Sequence, residues 1–501
     1  MKYRWVVVSL AASLTVLSAP ALTSPQNEEH TPPLDFHALF KTHVPHVKAQ
    51  VAGGGPAGAG TVQSARAASF SGSAETAGTA VGPTTTLPEA EEHIAVNPNN
   101  AANLVAAVSD FSLRGGYNTT KYVYSTSGGA SGGWRENFVP LVNGSPATRD
   151  GRTWEANSDP VVAIDKAGNV YLADLYFNDS NNANGLYVSA ASLSAGVNFT
   201  AAATYAVAAN PSPTTNVSED KEWIAVDNGN GNVYVSWTRF VGSSDSILLS
   251  CSTTRGQVWS APVQINPTSQ NGAVQGSQVA VGPFGEVYVA YEVFYVGGVR
   301  RHFLAKSTSG CTTGGMIFSA PVGITPYFNE LRFNSTYRKN SFASLAVSPV
   351  KPVSPANVVV YVVYADQPSN QAGAEVEFIR STDGGSSFSP PVVLNDNSTG
   401  QQFMPAVTTD EKGAIHVSWF DTRNSSGSAS YDVYATYSGT GGVSFHPNVR
   451  VTPSRVSAGS ASFIGDYAGV AAAAGNAHPV WTSGGFNNGL LQTATLSYTL
   501  P

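Results

Sequence analysis

After residue 88 the chain settles into short alternating apolar runs, each bounded by Gly, Asn, Asp or Pro. One type of run is small and apolar: Ile94-Ala95-Val96, Val162-Ala163-Ile164, Ile224-Ala225-Val226, Val279-Ala280-Val281, Leu345-Ala346-Val347, Val407-Thr408-Thr409 and Val470-Ala471-Ala472. These runs recur at roughly sixty-residue intervals, and a steady period of that order marks a repeat architecture. Within most units a turn follows, such as Asp165-Lys166-Ala167-Gly168 or Gly282-Pro283-Phe284-Gly285. Next comes a clearly alternating run, as in Val233-Tyr234-Val235-Ser236-Trp237 or Ile415-His416-Val417-Ser418-Trp419. Third runs (247–250, 303–306, 433–437), a glycine-rich tip and fourth runs (261–266, 320–324, 449–452) complete the unit. Four antiparallel strands repeated seven times predict an all-β chain folded as a seven-bladed β-propeller. The last unit stops after its third run, near 490–498, so a stretch ahead of Glu89 is required to supply its fourth strand and close the ring.

Upstream the pattern changes. Residues 1–21 have a basic start (Lys2, Arg4), an apolar run and small residues at Ala19 and Ala21, which reads as a secretory signal peptide. Residues 22–86 are rich in Gly, Ala, Ser, Thr and Pro, with little periodicity, and are expected to form a flexible leader. The propeller is assigned to 87–501.

Composition narrows the partners. Charged residues make up 12% of the chain with a net charge of −7, and no basic cluster stands out, which argues against nucleic acid. No run after the signal is long and apolar enough to span a bilayer, so a secreted protein, extracellular or periplasmic, is expected, and a monomer. The two cysteines, Cys251 and Cys311, allow one disulfide or two separate thiols. No Cys/His spacing suits a metal, and no cofactor is expected. Acidic residues at strand starts leave a structural calcium ion as an alternative.

The tips carry more specific information. Residues 381–388 read Ser-Thr-Asp-Gly-Gly-Ser-Ser-Phe, with weaker copies beginning at Ser125, Ser252, Ser307 and Ser438. A short carboxylate accepts nearby backbone N–H groups, and glycines supply the positive φ such a turn needs. The 381–388 stretch resembles the Asp-box, or BNR, pattern S-x-D-x-G-x-[ST]-[WF], and the chain from about Glu89 onward is similar to the sialidase-like propeller superfamily. In that superfamily the Asp-box is a structural device on the blade edge away from the active face. The resemblance implies carbohydrate as the partner, a glycan or polysaccharide. True exo-sialidases use three arginines, a Tyr nucleophile supported by a Glu, and an Asp acid/base, with the first Arg in Arg-Ile-Pro. Here that stretch is Thr86-Leu87-Pro88-Glu89-Ala90-Glu91-Glu92-His93, without arginine. Asp220-Lys221-Glu222-Trp223-Ile224-Ala225-Val226-Asp227 and Phe463-Ile464-Gly465-Asp466-Tyr467 are similar to segments shared by secreted bacterial sialidase-like proteins.

Aligning the units on their first strands gathers charge on one rim. Glu91, Glu92, Asp159, Asp220, Lys221, Glu222, Gln275, Asp466 and Tyr467 stand just ahead of first strands. Asp110, Tyr176, Arg239, Glu292, Asp366, Asp421 and Arg423 stand at the ends of second strands. Glycoside cleavage commonly needs two carboxyl groups in different protonation states. Asp159, Asp220, Glu222 and Asp466 are the candidates, with Tyr467 the nearest phenolic nucleophile. Arg239 and Arg423 are candidates to bind a sugar carboxylate, with Asp421, Glu92 and Tyr176 beside them. Trp237 and Trp419, at matching strand ends, are expected to pack between blades. The leading expectation is a glycoside hydrolase acting on a terminal sugar, neutral or acidic. Alternatives are a non-catalytic propeller binding glycan or protein, and a polysaccharide lyase on the same fold.

Overall fold

The computed structural model describes residues 68–71, 89–114, 117–130, 133–142, 154–178, 183–210, 217–425, 427, 429–458, 463–482 and 491–498. Residues 1–21, expected to be a signal peptide, and most of the expected leader lie outside these residues.

Seven antiparallel sheets follow one another along the chain. Blade 3 shows the plan: Val217–Val226, Val233–Val241, Ser246–Ser252 and Val263–Gln264 pair in sequence order, from the inside outward. Its second strand is Val/Tyr/Trp-rich, suited to a pleated and packed surface. Each sheet packs on its neighbour, so both faces of the middle strands are buried and the apolar/polar alternation does not separate core from solvent. Tyr234, Ile247 and Leu249 of blade 3 thus share a core with Val279, Val287, Val289 and Tyr291 of blade 4. The first strands carry the seven small apolar runs, which crowd around the axis. Among the described residues, no helix is long and apolar enough to cross a membrane.

Two expectations are corrected. The fourth strands of blades 3 to 6 are only two residues long, Val263–Gln264, Val322–Gly323, Val392–Val393 and Val449–Arg450. An outermost strand has one partner and faces water on its other side, and a short edge offers little template for another chain. The missing strand of blade 7 does precede Glu89, but it is Ala68–Ser71, inside the stretch expected to be leader. It pairs antiparallel with Leu491–Ser497, Ala68 opposite Leu496 and Ser71 opposite Thr493. A strand ahead of the first blade and three strands after the sixth therefore build the last blade.

The tips share one organiser. The Ser381 hydroxyl accepts the Gly385 N–H at 2.8 Å and the Asp383 N–H at 3.3 Å. Ser125, Ser252 and Ser438 accept the N–H of Gly129, Gly256 and Gly442 at 3.2, 2.9 and 3.0 Å. Asp383 adds acceptors for the N–H groups of Ser386 and Ser387 at 3.0 and 2.9 Å. Slight burial pushes its carboxyl up, but these donors and the Ser387 and Ser381 hydroxyls outweigh it and bring the pKa down to about 2. The tip at Ser307 departs, because Ser307 accepts the Val287 N–H while Ser309 accepts that of Ile317. Its longer loop carries Cys311, which is disulfide-bonded to Cys251 and joins blade 4 to blade 3.

Candidate functional site

A repeated fault in the inner strands builds the site. In five blades the pairing of first and second strands slips by a β-bulge, at Ala90/His93, Ser158/Val161, Asp220/Trp223, Gln275/Gln278 and Phe403/Ala406. The first residue inside each slip has positive φ: Glu91 (65°), Asp159 (59°), Lys221 (57°), Gly276 (67°) and Met404 (49°). For a residue with a side chain this costs about 1–2 kcal/mol. A bulge re-aims side chains, and this one turns them toward the ring's centre. Gly276 and Met404 adopt the same backbone, so the bulge belongs to the architecture. What differs is the chemistry placed on it, charged in blades 1 to 3 only.

At the centre the Lys221 ammonium bonds the Asp466 carboxylate and lies 3.4 Å from Glu91 Oε1 and 3.8 Å from Asp159 Oδ2. Arg338 bonds Asp466 with both Nε (2.9 Å to Oδ1) and Nη2. The Asn340 amide donates to the Asp466 carbonyl at 2.9 Å. Ser109 joins Glu91 to the Asp159 backbone, donating to Glu91 Oε2 at 3.3 Å and accepting the Asp159 N–H at 2.9 Å. Asp220 accepts the Lys221 N–H at 2.8 Å.

More carboxyls than cations meet here, and their environments separate them. Burial, then the facing Asp159, pushes Glu91 well above the usual carboxylate range. Burial and the Asp159 charge do the same to Glu222, whose two oxygens are buried without a hydrogen-bond partner among the described residues. Burial raises Asp220 to about 6 despite Lys221. Asp466 goes the other way: burial pushes it up, but Arg338 and Lys221 outweigh that and hold it below its usual range. Lys221 is buried too, yet Asp466, Glu91, Asp220 and Asp159 keep it firmly charged.

A cavity of about 490 Å³, open to solvent, lies against this cluster. Lys221, Glu222, Trp223, Gly276, Asn340, Phe342, Met404, Asp466 and Tyr467 are among its lining residues, drawn from blades 3 to 7. Among the described residues, no group of three or more His, Cys, Asp and Glu side chains is placed to hold a metal ion.

Of the rim residues expected from sequence, Glu222, Asp466 and Tyr467 line the cavity, and Asp159 and Asp220 stand in the charge cluster behind it. The Tyr467 hydroxyl donates to the Pro160 carbonyl at 3.1 Å. Burial, then the surrounding carboxyls Glu91, Asp159 and Glu222, raises it well above the usual phenol range, which does not suit an activated nucleophile. The expected arginine clamp is not assembled. Arg239 forks onto Glu219 of its own blade at 2.9 and 2.6 Å, where the Trp237 indole N–H also donates. Arg423 pairs with Asp421 at 2.8 Å and Asp396 at 2.6 Å, stacked 4.0 Å over Tyr434. Each arginine has nearer carboxylates than the central cavity, and neither lines it. Asp421 is buried beneath the Trp419 indole N–H at 2.9 Å, so both tryptophans are packing residues as expected. Tyr176 is a core residue donating to the Pro140 carbonyl at 3.1 Å. Glu92, the second residue of its bulge, is wholly buried away from the cavity.

Arg338 and Asn340 were not legible. They come from the irregular segment between Phe328–Asn329 and Ser344–Val347, which has no periodicity. The one hint is the adjacent pair Arg338-Lys339 in a charge-poor chain.

No protein-family model matches the chain, and no curated protein is similar to it. Solved structures do resemble it. A Hadza microbial sialidase is 13% identical over 80% of this chain and 75% of its own, with a TM-score of 0.43. The GH93 α-L-arabinofuranosidase of Fusarium graminearum is 11% identical over 71% and 95%, with a TM-score of 0.44. An ulvan lyase of polysaccharide lyase family PL25 is 13% identical over 82% and 95%, with a TM-score of 0.45.

Proposed function

We propose that the protein is a secreted carbohydrate-active enzyme that cleaves a glycosidic bond in the central cavity. One observation carries this reading: two residues that line the same cavity bear carboxyl groups pushed in opposite directions, Glu222 raised by burial and Asp466 held low by Arg338 and Lys221. A neutral carboxyl protonates the leaving oxygen, and an ionised one stabilises positive charge at the sugar carbon or activates water. Trp223, Ser277 and Gln278 also stand on the cavity wall, an aromatic and two polar side chains of the kinds that meet sugars. The substrate is a terminal sugar, neutral or acidic, and Lys221 and Arg338 are the cations an acidic one would meet. The Asp-box resemblance of the tips and the Cys251–Cys311 disulfide fit an exported chain.

Binding without turnover is the second reading, and the satisfaction of Asp466 favours it. A carboxylate held by Lys221, Arg338 and Asn340 is also what a purely structural anchor needs. The two readings separate in one assay over a broad glycan panel. Glu222→Gln and Asp466→Asn each lower turnover on the order of 10²- to 10⁴-fold, with binding retained. No turnover of any glycan by the folded wild type would sink the enzyme reading.

A further inference from the structure

The segment between Phe328–Asn329 and Ser344–Val347 forms a strap that touches blades distant in sequence. Its first part is seated on blade 6, where Phe333 and Tyr337 pack on Phe403 with ring centroids 5.3 and 5.9 Å apart. Its middle reaches blade 7, where Arg338 and Asn340 hold Asp466. Its return is fastened on blade 4 by two contacts. The Phe342 ring fills the space a side chain at Gly276 would occupy, close enough that a Cβ there would collide with it. Next to Asn340, the Ser341 carbonyl lies 3.1 Å from Nε2 of His302.

His302 is wholly buried, its ring stacked on Phe328 at 4.8 Å and edge-on to Tyr364 at 5.1 Å. Its Nε2 also lies 3.1 Å from Glu292 Oε2. Carbonyl and carboxylate both only accept, so Nε2 carries the proton and is shared between them. Arg300 stands 3.4 Å from the other Glu292 oxygen and balances its charge. Glu292, His302 and Ser341 therefore form a buried chain from the blade 4 hairpin to the residue beside Asn340. None of the three lines the cavity.

We propose that His302 is a positioning residue for the site: it fixes the strap at Ser341, and so keeps Asn340 and Arg338 on Asp466. This deepens the enzymatic reading, because Arg338 is what keeps Asp466 ionised, but its test needs no substrate. Gln places a donor where Nε2 stands, and Asn is too short to do so. Crystal structures of wild type, His302→Gln and His302→Asn, with circular dichroism to check folding, decide it. The Gln variant keeps Arg338 Nε within hydrogen-bond range of Asp466, as in wild type (2.9 Å). In the Asn variant the pair opens beyond about 4 Å, the limit for an ion pair, while the blades are unchanged. Arg338 in place in both variants, or displaced in both, overturns the proposal. So does loss of the fold in both, which makes His302 a packing residue. Absence of glycan turnover would leave these distances unaffected, so failure of the enzymatic reading is told apart from failure of this one.

Discussion

At the residue scale, the chain uses burial to set the state of its carboxyls, and Glu92 isolates that effect. It is fully buried, its oxygens have no hydrogen-bond partner among the described residues, and burial raises it to about 8. The folded protein therefore keeps a proton that the unfolded chain releases above its ordinary value of 4.5. Stability from this group is complete below that value and is lost as pH rises toward 8, on the order of 5 kcal/mol at most. Glu92→Gln, which mimics the protonated form, is expected to melt with the wild type near pH 4 and above it at pH 8 to 9. A gain that does not grow with pH would contradict this. The rim glutamates and aspartates were legible in sequence because charge is scarce in this chain. Their states were not, since Glu222 and Asp466 look alike until Arg338 is placed beside only one of them.

At the scale of the element, the inner-strand bulge is what turns a propeller blade into a site. The strands are legible from their alternation but the bulges are not, because the slip falls at the run's start, where Glu91, Asp159, Lys221, Gly276 and Met404 share no residue type. The arginine clamp failed for a related reason. Strand-end alignment places Arg239 and Arg423 on the rim but cannot say that Glu219 and Asp421 of the same blades occupy them. Gly276 is where bulge and strap meet. Gly276→Ala is expected to destabilise by about 1–3 kcal/mol, since its φ of 67° disfavours a side chain and the new Cβ collides with Phe342. Thermal melting together with the position of Phe342 in a crystal structure checks this; an unshifted ring and an unchanged melt would refute it.

At the scale of the whole molecule, seven repeats close a ring whose last blade needs a strand from ahead of the first. That plan was legible because the period, the tip spacing and the unit missing a strand all agreed. The strand's location was not, because Ala68–Ser71 lies in a composition that reads as linker. The disulfide is not legible in sequence, since pairing depends on how close blades 3 and 4 bring their third strand and tip. With its cysteines 60 positions apart in sequence, it removes up to about 4 kcal/mol of unfolded-state entropy. Cys311→Ser is expected to lower the chemical denaturation midpoint and leave the blade pairing intact. An unchanged midpoint would show that the bond adds nothing.

The ring brings together residues from blades 1, 2, 3 and 7 so that two residues lining one cavity have carboxyls pushed in opposite directions, Glu222 up by burial and Asp466 down by Arg338 and Lys221. Neutron diffraction at neutral pH reads those protons directly. The account predicts a deuteron on the Glu222 carboxyl and none on Asp466; an ionised Glu222, or a protonated Asp466, would contradict it.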